Sequence, residues 1–230
     1  MILLIDTATA LCSVALSHEG TVLQYREAEG RNQHAAMAAL LVDEVLKAQG
    51  IRARDCDAVC VSAGPGSYTG LRVGVSTAKG LCFGAGIPLI GIGTLNSLVA
   101  HAAAEGLIPE GCRRIVPMID ARRMEVYSAV FTPSGERLSE VSPIVVGPDS
   151  FAEELASGCP VLFIGDGAEK CREPLGDHPN AVFVSCHPKA SSLAAPATAA
   201  YNEKRFEDTA YFEPFYLKEF IATISRKSLF

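Results

Sequence analysis

The sequence lacks the surplus of basic residues that a chain needs to hold nucleic acid by itself. Its 230 residues include 20 Lys and Arg against 26 Asp and Glu, which gives a net charge of −6 at pH 7. Binding to phosphates depends mainly on Lys and Arg. The pairs Arg113/Arg114 and Arg122/Arg123 are local basic spots, and short charged runs of this kind are typical of solvated surface. Any role with nucleic acid therefore requires a partner.

Motifs for metal binding and nucleophilic catalysis are also missing. The five histidines include no H-x3-H or H-E-x2-H pair, and the eight cysteines include no C-x2-C pair. No G-x-S-x-G sequence surrounds a serine, and Ser67 has no histidine partner that the sequence identifies. We therefore predict no metal site, no catalytic triad, and reduced, partly buried thiols.

The sequence shows neither a secretory signal nor a convincing membrane span. Asp6 interrupts the first apolar run, and no basic segment precedes it. The uncharged stretch 80–100 is about as long as a span, but it contains five glycines, Pro88 and polar residues such as Thr94. We expect this stretch to be buried as a helix end, a strand and a new helix, and we expect a cytoplasmic protein.

The most informative segment that is present covers residues 59–86. An apolar strand leads there through a glycine-rich turn into a helix whose only charges are Arg72 and Lys79. The two charges are seven residues apart and share one face, while Gly74 and Gly80 allow another backbone to come close. A second helix or a partner protein is therefore expected to cover this helix.

A helix predicted over residues 33–49 has a similar shortage of polar surface. Its apolar residues cover about 200° of the helix, against the ~100° typical of a surface helix. We favour a partner interface over a helix enclosed in its own domain, because one apolar stripe can face the sheet while the other stays available. The first stripe is Met37, Leu41, Val45 and Ala48, and the second is Ala35, Ala38, Val42 and Leu46.

Both halves of the sequence begin with an apolar strand that ends in aspartate, LLIDTAT at Leu3 and VPMIDAR at Val116. The order of these strands, a central helix and a late glycine turn matches the two-lobed α/β fold of actin-like ATPases and sugar kinases. We predict an N-terminal lobe over 1–104 and a C-terminal lobe over 105–230, with a tail that packs back on the first lobe.

Nucleotide-binding residues of such a fold have counterparts at the strand ends. Asp6 and Thr7 could hold a hydrated Mg²⁺ and a phosphate, and Asp120 ends the equivalent strand of the second half. The turn with Gly165 and Gly167 could receive an adenosine. Each of these signals alone is equally typical of an ordinary turn, so we predict at most a vestigial nucleotide site.

Three longer segments resemble the TsaB (YeaZ) family: ILLIDTAT at the start, SAGPGSYTGLRVGVSTAKGL in the middle and IDARRMEVYSAVF later. The tail EPFYLKEF is similar to the segment that ends this family, so the resemblance covers nearly the whole chain. It implies the two-lobed actin-like fold with ribonuclease-H-like lobes, and a paralogous relation to the catalytic subunit TsaD. It also implies a bacterial protein that works with TsaD and the TsaE ATPase. Together they would place N6-threonylcarbamoyl on adenosine 37 of ANN-decoding tRNAs, from an adenylate that a separate enzyme supplies.

One departure from TsaD concerns its metal. In TsaD an H-x3-H pair follows the strand that here reads PLIGIG, whereas this chain continues with TLNS at 94–97. The resemblance thus implies a supporting subunit without catalytic residues and without a tightly bound cofactor. ATP would bind only in the complex, and tRNA would be bound only indirectly, through the complex. The two helices would pack against TsaD, or against a second copy when the chain is alone. The expected contacts are Met37, Leu41, Val45, Val75 and Lys79.

Two other functions remain open at this point. A small-molecule kinase or ATPase of the actin-like superfamily would use Asp6, Asp120 and the turn 165–167 around Mg-ATP. A peptidase is suggested only by the historical glycoprotease label of the superfamily, and neither metal ligands nor a triad support it.

Overall fold

The computed structural model describes residues 1–29, 34–176 and 178–217. The first half of the chain forms a five-stranded sheet in the order β3-β2-β1-β4-β5. Strand β2 runs antiparallel to its neighbours β1 and β3, whereas β4 and β5 run parallel to β1. The strands are β1 (Ile2–Asp6), β2 (Leu11–His18), β3 (Thr21–Glu29), β4 (Ala58–Gly64) and β5 (Leu89–Gly93).

The second half forms another five-stranded sheet, in the order β10-β9-β6-β7-β8. Strand β7 runs antiparallel to its neighbours β6 and β8, whereas β9 and β10 run parallel to β6. The strands are β6 (Arg114–Asp120), β7 (Glu125–Ser128), β8 (Ser142–Val145), β9 (Val161–Ile164) and β10 (Ala181–Val184). Because order and polarity repeat those of the first sheet, the predicted two-lobed arrangement is confirmed.

Six α-helices and three short 3-10 helices connect the strands of the described residues. The long helices of the first half are α1 (His34–Gln49) and α2 (Tyr68–Ala85), followed by α3 (Thr94–Ala104). The later helices are α4 (Ala152–Leu155), α5 (Arg172–Leu175) and α6 (Ala194–Asn202), and the 3-10 helices are Ala53–Asp55, Glu169–Cys171 and Ala190–Leu193. Among these helices, none combines the length and the apolar character that crossing a membrane requires.

Each sheet is covered on both faces, as the alternation of side chains along β1 illustrates. Leu3 and Ile5 pack under α1 and α2, whereas Ile2 and Leu4 pack under α6 and the 3-10 helix before it. Helix α3 covers one face of the second sheet, and α4 and α5 cover the other. A helix from each half of the sequence therefore packs on the sheet of the other half or at its border. The division after residue 104 stays a prediction.

Some predicted boundaries differ from the structure. As a threonine at the start of a helical segment, Thr94 is predicted to cap α3, but Gly93 occupies the N-cap position, and the Thr94 hydroxyl has no hydrogen-bond partner among the described residues. Residues 191–205 have a sequence pattern typical of one helix despite Pro196, whereas the structure has a 3-10 turn followed by the shorter α6. Gln33, where the prediction for α1 begins, lies outside the described residues.

Candidate partner surface and interlobe contacts

The glycine-rich turn brings α2 directly against the end of β1. Ser67 caps the helix by accepting a hydrogen bond from the Gly70 amide at 3.3 Å, and the Thr7 hydroxyl donates to the Gly70 carbonyl at 2.7 Å. A Cβ atom at Gly70 would overlap the Thr7 carbonyl oxygen, and one at Gly74 would overlap the Thr7 hydroxyl. Glycine is thus required at both positions by the close packing of the helix on Thr7.

The same packing encloses the residues predicted to hold a metal and a phosphate. Asp6 and Thr7 are fully buried. One carboxylate oxygen of Asp6 accepts from the Ala8 amide at 3.0 Å, and the other accepts from the Ser62 hydroxyl. A side chain at Gly66 would overlap the Ala8 carbonyl oxygen. Asp6 therefore has a clear structural role, because it holds the turn after β1 against β4.

The predicted residues of the second lobe do come together. The Asp120 carboxylate accepts from the Arg122 amide at 2.8 Å and pairs with Lys170. A Cβ atom at Gly167 would lie 3.2 Å from the Asp120 amide nitrogen, and Gly165 has the positive φ of 133° that favours glycine. Lys170 also donates to two carbonyls of the β6–β7 turn, so it fixes this turn to the segment after β9.

A chain of polar contacts links this cluster to the first lobe. Asp166 accepts from the Asp120 amide at 3.0 Å, and its other oxygen lies 3.9 Å from Nδ1 of His187. The same nitrogen lies 3.4 Å from the Thr9 hydroxyl. Burial raises the pKa of the Asp166 carboxyl, although the Asp120 amide and His187 act in the opposite direction. The ends of β1 and β6 are thereby connected through Asp166.

Sequence reasoning missed Asp166, His187 and Thr9 as members of this chain. Asp166 stands between the two glycines already selected, so its position in the GDG turn was a usable signal. His187 gave no such signal, because it lies 21 residues after Asp166 in the sequence and comes close to the turn only in the folded chain.

The predicted partner contacts on α1 and α2 require a correction. Leu41, Val45 and Val75 are buried in the core between the two helices and the first sheet, so their side chains do not reach a partner in this structure. Met37 is partly buried against the same core. The reason is geometric, since α1 packs on the sheet and on α2 at once, and the larger side chains of both apolar stripes pack inside its own lobe.

A different set of residues on the two helices faces outward. Leu40 is 46% exposed and Phe83 is 88% exposed, the highest value among the large apolar residues that the structure describes. We call this set the outer helix surface. It comprises Ala36, Ala39, Leu40, Asp43, Glu44 and Lys47 of α1 and Arg72, Ser76, Gly80, Phe83 and Gly84 of α2.

Lys79, the fifth predicted contact, holds the C-terminal segment of the described chain. Its ammonium group donates to the carbonyls of Ala210 and Phe212 at 3.1 and 3.0 Å. The Phe215 amide then donates to the Ala63 carbonyl of β4 at 2.7 Å. An open groove of about 440 Å³ lies between α2 and this segment. The segment thus borders α2 along the edge of the outer helix surface.

Comparisons with known proteins point to one family. The family model described as "TsaD: tRNA N6-adenosine threonylcarbamoyltransferase" matches residues 28–225. The tRNA threonylcarbamoyladenosine biosynthesis protein TsaB of Escherichia coli is 40% identical over 130 residues, 56% of this chain and 54% of that protein. This chain thus spans about half the length of that relative. The TsaB protein of Bacillus subtilis is 31% identical over 179 residues, 76% of this chain and 75% of that protein.

A solved structure extends the similarity over the whole fold. YeaZ from Pseudomonas aeruginosa superposes with a TM-score of 0.79 at 27% identity, covering 94% of this chain and 99% of that one. The agreement includes both lobes, so the two-lobed actin-like fold is confirmed. Within the wider TsaD family that the family model describes, the chain therefore belongs to the TsaB (YeaZ) family.

Proposed function

We propose that this chain is a non-catalytic subunit that binds and activates a TsaD-like transferase. The reaction would form N6-threonylcarbamoyladenosine at position 37 of ANN-decoding tRNAs. A TsaE-like ATPase would take part, tRNA would be reached only through the complex, and ATP would be needed only there. Support comes from the names of the TsaB relatives and from the match to the TsaD family model.

The observation that carries the proposal is the outer helix surface. Phe83 extends almost fully into solvent from a helix whose only charges are Arg72 and Lys79, and Leu40 is half exposed on the neighbouring helix. Aromatic residues at the centre of an interface often contribute most of its binding energy. Gly80, one helical turn before Phe83, and Gly84 are both exposed with open space beside them, which leaves room for the backbone of a partner helix. The same surface would join two copies of the chain when the transferase is absent.

The polar residues of the interlobe region favour a binding subunit over a kinase. The Asp6 carboxylate directs its oxygens to the Ala8 amide and the Ser62 hydroxyl, within a turn that α2 covers. A kinase of this fold would need that carboxylate to face Mg-ATP. The sequence also places no histidine at 94–97, where TsaD carries its metal ligands. The kinase alternative is therefore the second candidate, and ATP consumption by the isolated chain distinguishes it.

The test is threonylcarbamoyl transfer to tRNA in a reconstituted mixture of TsaD, TsaE, the adenylate-forming enzyme and ATP. We expect modification to require this chain, and Phe83→Asp to weaken its binding to TsaD by roughly 30-fold, as for a central aromatic residue. The matched control is Val145→Asp, because Val145 is 74% exposed on β8 of the other lobe. Equal modification without the chain, or ATP consumption by the chain alone, would reject the proposal. Normal binding by Phe83→Asp would reject this surface.

A further inference from the structure

Two cysteines that are far apart in the sequence lie side by side in the second lobe. Strands β6 and β9 are parallel, with Arg114 opposite Val161. Continued outward by two residues, this register places Cys112 opposite Cys159. The Arg113 amide donates to the Pro160 carbonyl at 3.4 Å, which shows that the two segments stay adjacent beyond the ends of β6 and β9. Both cysteines are partly exposed and carry free thiols.

The placement of Cys112 and Cys159 is compatible with a disulfide bond between them. Neighbouring strands lie about 4.8 Å apart, which is inside the range of about 4.4–6.8 Å between the Cα atoms of disulfide-bonded cysteines. Residues opposite each other in parallel strands also direct their side chains to the same face of the sheet. The Cys112 thiol at present donates weakly to the Arg114 carbonyl at 3.2 Å. Rotation about its Cα–Cβ bond would exchange this contact for one with Cys159.

The other cysteines lack this arrangement. Cys12, Cys56, Cys60, Cys82 and Cys171 are buried in the cores of the lobes. Cys186 is the third partly exposed thiol of the described residues, and it lies beyond β10, next to Gly165. Burial raises the pKa of the Cys112 thiol, the backbones of Arg114 and Leu162 act in the opposite direction, and the neighbouring Cys159 makes a smaller raising contribution. Burial thus disfavours the thiolate that would have to attack first if the reaction began at Cys112.

We propose that Cys112 and Cys159 form a reversible disulfide when a low-molecular-weight disulfide such as glutathione disulfide is present. The Cys159 thiolate attacks one sulfur of the oxidant and releases one glutathione thiolate, which leaves a mixed disulfide on Cys159. The Cys112 thiolate then attacks the Cys159 sulfur of this mixed disulfide and releases the second glutathione. Two protein thiols are oxidised, one glutathione disulfide is reduced to two glutathiones, and the two thiol protons pass to the released thiolates.

The bond would fix the entry to β6 against the entry to β9 and close a long loop that contains β6, β7, β8 and α4. Cross-linking residues so far apart in sequence restricts the unfolded chain. We expect the oxidised protein to unfold at a Tm higher by on the order of 5 °C, with the gain abolished by dithiothreitol.

The experiment incubates the full chain in glutathione buffers of increasing oxidised fraction. Free thiols are then blocked with N-ethylmaleimide in urea, and tryptic peptides are identified by mass spectrometry. We expect a peptide pair joined at Cys112 and Cys159, two fewer maleimide adducts than in the reduced protein, and complete reversal by dithiothreitol. Fragmentation separates Cys112 from Cys82, which shares its tryptic peptide.

Three variants test whether the disulfide joins these two cysteines. Cys112→Ser should accumulate glutathione on Cys159, and Cys159→Ser should lose the joined pair. Cys186→Ser should form the pair like the natural chain, which makes it the matched control. If the natural chain instead retains glutathione on Cys159, or joins Cys159 to another cysteine, then Cys112 does not reach it and the proposal is wrong. The same holds if both thiols stay reactive to maleimide at every glutathione ratio.

Discussion

Single residues decide whether α2 can lie on the end of β1, and Gly70 is the clearest of them. The Thr7 hydroxyl bonds the Gly70 carbonyl, while the Thr7 carbonyl oxygen occupies the space that a side chain at Gly70 would need. The contact is with backbone, which cannot rotate away as a long side chain does. The glycine-rich turn thus serves packing, whatever its resemblance to a phosphate-binding loop.

Gly70→Ala is therefore expected to lower the free energy of unfolding by about 2–4 kcal/mol, as overpacking against backbone does. Urea denaturation of the isolated chain measures this loss of unfolding free energy. The matched control is Gly80→Ala in the same helix, where a Cβ atom would have nothing within 4 Å. That change should raise stability by about 0.5–1 kcal/mol, because alanine favours a helix. Equal effects of the two substitutions would show that space at Gly70 is not the constraint.

At the scale of elements, the sequence predicted the existence of helices and strands better than the faces they bury. The apolar arc of α1 was correctly recognised as too wide for an ordinary surface helix. The pattern predicts separate partners for its two stripes, whereas α1 contacts the sheet and α2 together and buries the larger side chains of both stripes. Leu40, which is exposed, lies within the polar arc near Glu44, so a search for apolar stripes passes over it.

The segment after α6 illustrates a contact that no local pattern could predict. Lys79 was selected as a contact for a partner protein, yet its ammonium group bonds the Ala210 and Phe212 carbonyls of its own chain. Those carbonyls lie more than 130 residues away in sequence. Because every residue has a backbone carbonyl, the residue types at 210 and 212 do not identify these groups as acceptors. The sequence therefore indicates that Lys79 makes a contact but does not identify the acceptor.

Lys79→Met should release this segment while leaving the fold intact. We expect faster amide hydrogen exchange over residues 208–216 and a loss of about 1–2 kcal/mol in unfolding free energy, from two charge-assisted hydrogen bonds. Lys47→Met is the matched control, since the exposed Lys47 pairs with Asp43 one helical turn away, and exposed pairs of this kind contribute little to stability. If exchange over 208–216 is unchanged in Lys79→Met, the other contacts of the segment are sufficient to hold it.

At the scale of the whole molecule, the repeated strand-and-aspartate motif predicted two lobes of one topology, because LLID and VPMID begin equivalent sheets. The contacts between the lobes could not be predicted from the sequence. Asp166 in the second lobe and Thr9 in the first meet through His187, three residues without a shared motif. The polar residues between the lobes therefore became visible only when the fold brought the strand ends together.

The connection between the lobes predicts a particular dependence of stability on pH. Burial raises the pKa of the Asp166 carboxyl in the folded protein above its value in the unfolded chain. The unfolded chain then loses this proton at lower pH than the folded protein does. The contribution of Asp166 to folding consequently becomes less favourable as pH rises from the unfolded value of about 3.9 through the higher folded pKa, and then levels off.

Asp166→Asn removes this titration but keeps an oxygen that can accept the Asp120 amide. The unfolding free energy of the variant minus that of the natural chain should increase as pH rises from about 4, and it should level off once the pH exceeds the folded pKa of Asp166. Urea denaturation at a series of pH values measures this difference. Exposed Asp149→Asn is the control for the loss of one carboxylate. A difference that instead decreases as pH rises would mean that the attraction of protonated His187 for the Asp166 carboxylate outweighs its burial. The polar chain between the lobes would then act as an ion pair, and its stabilising effect would be lost at low pH through protonation of Asp166.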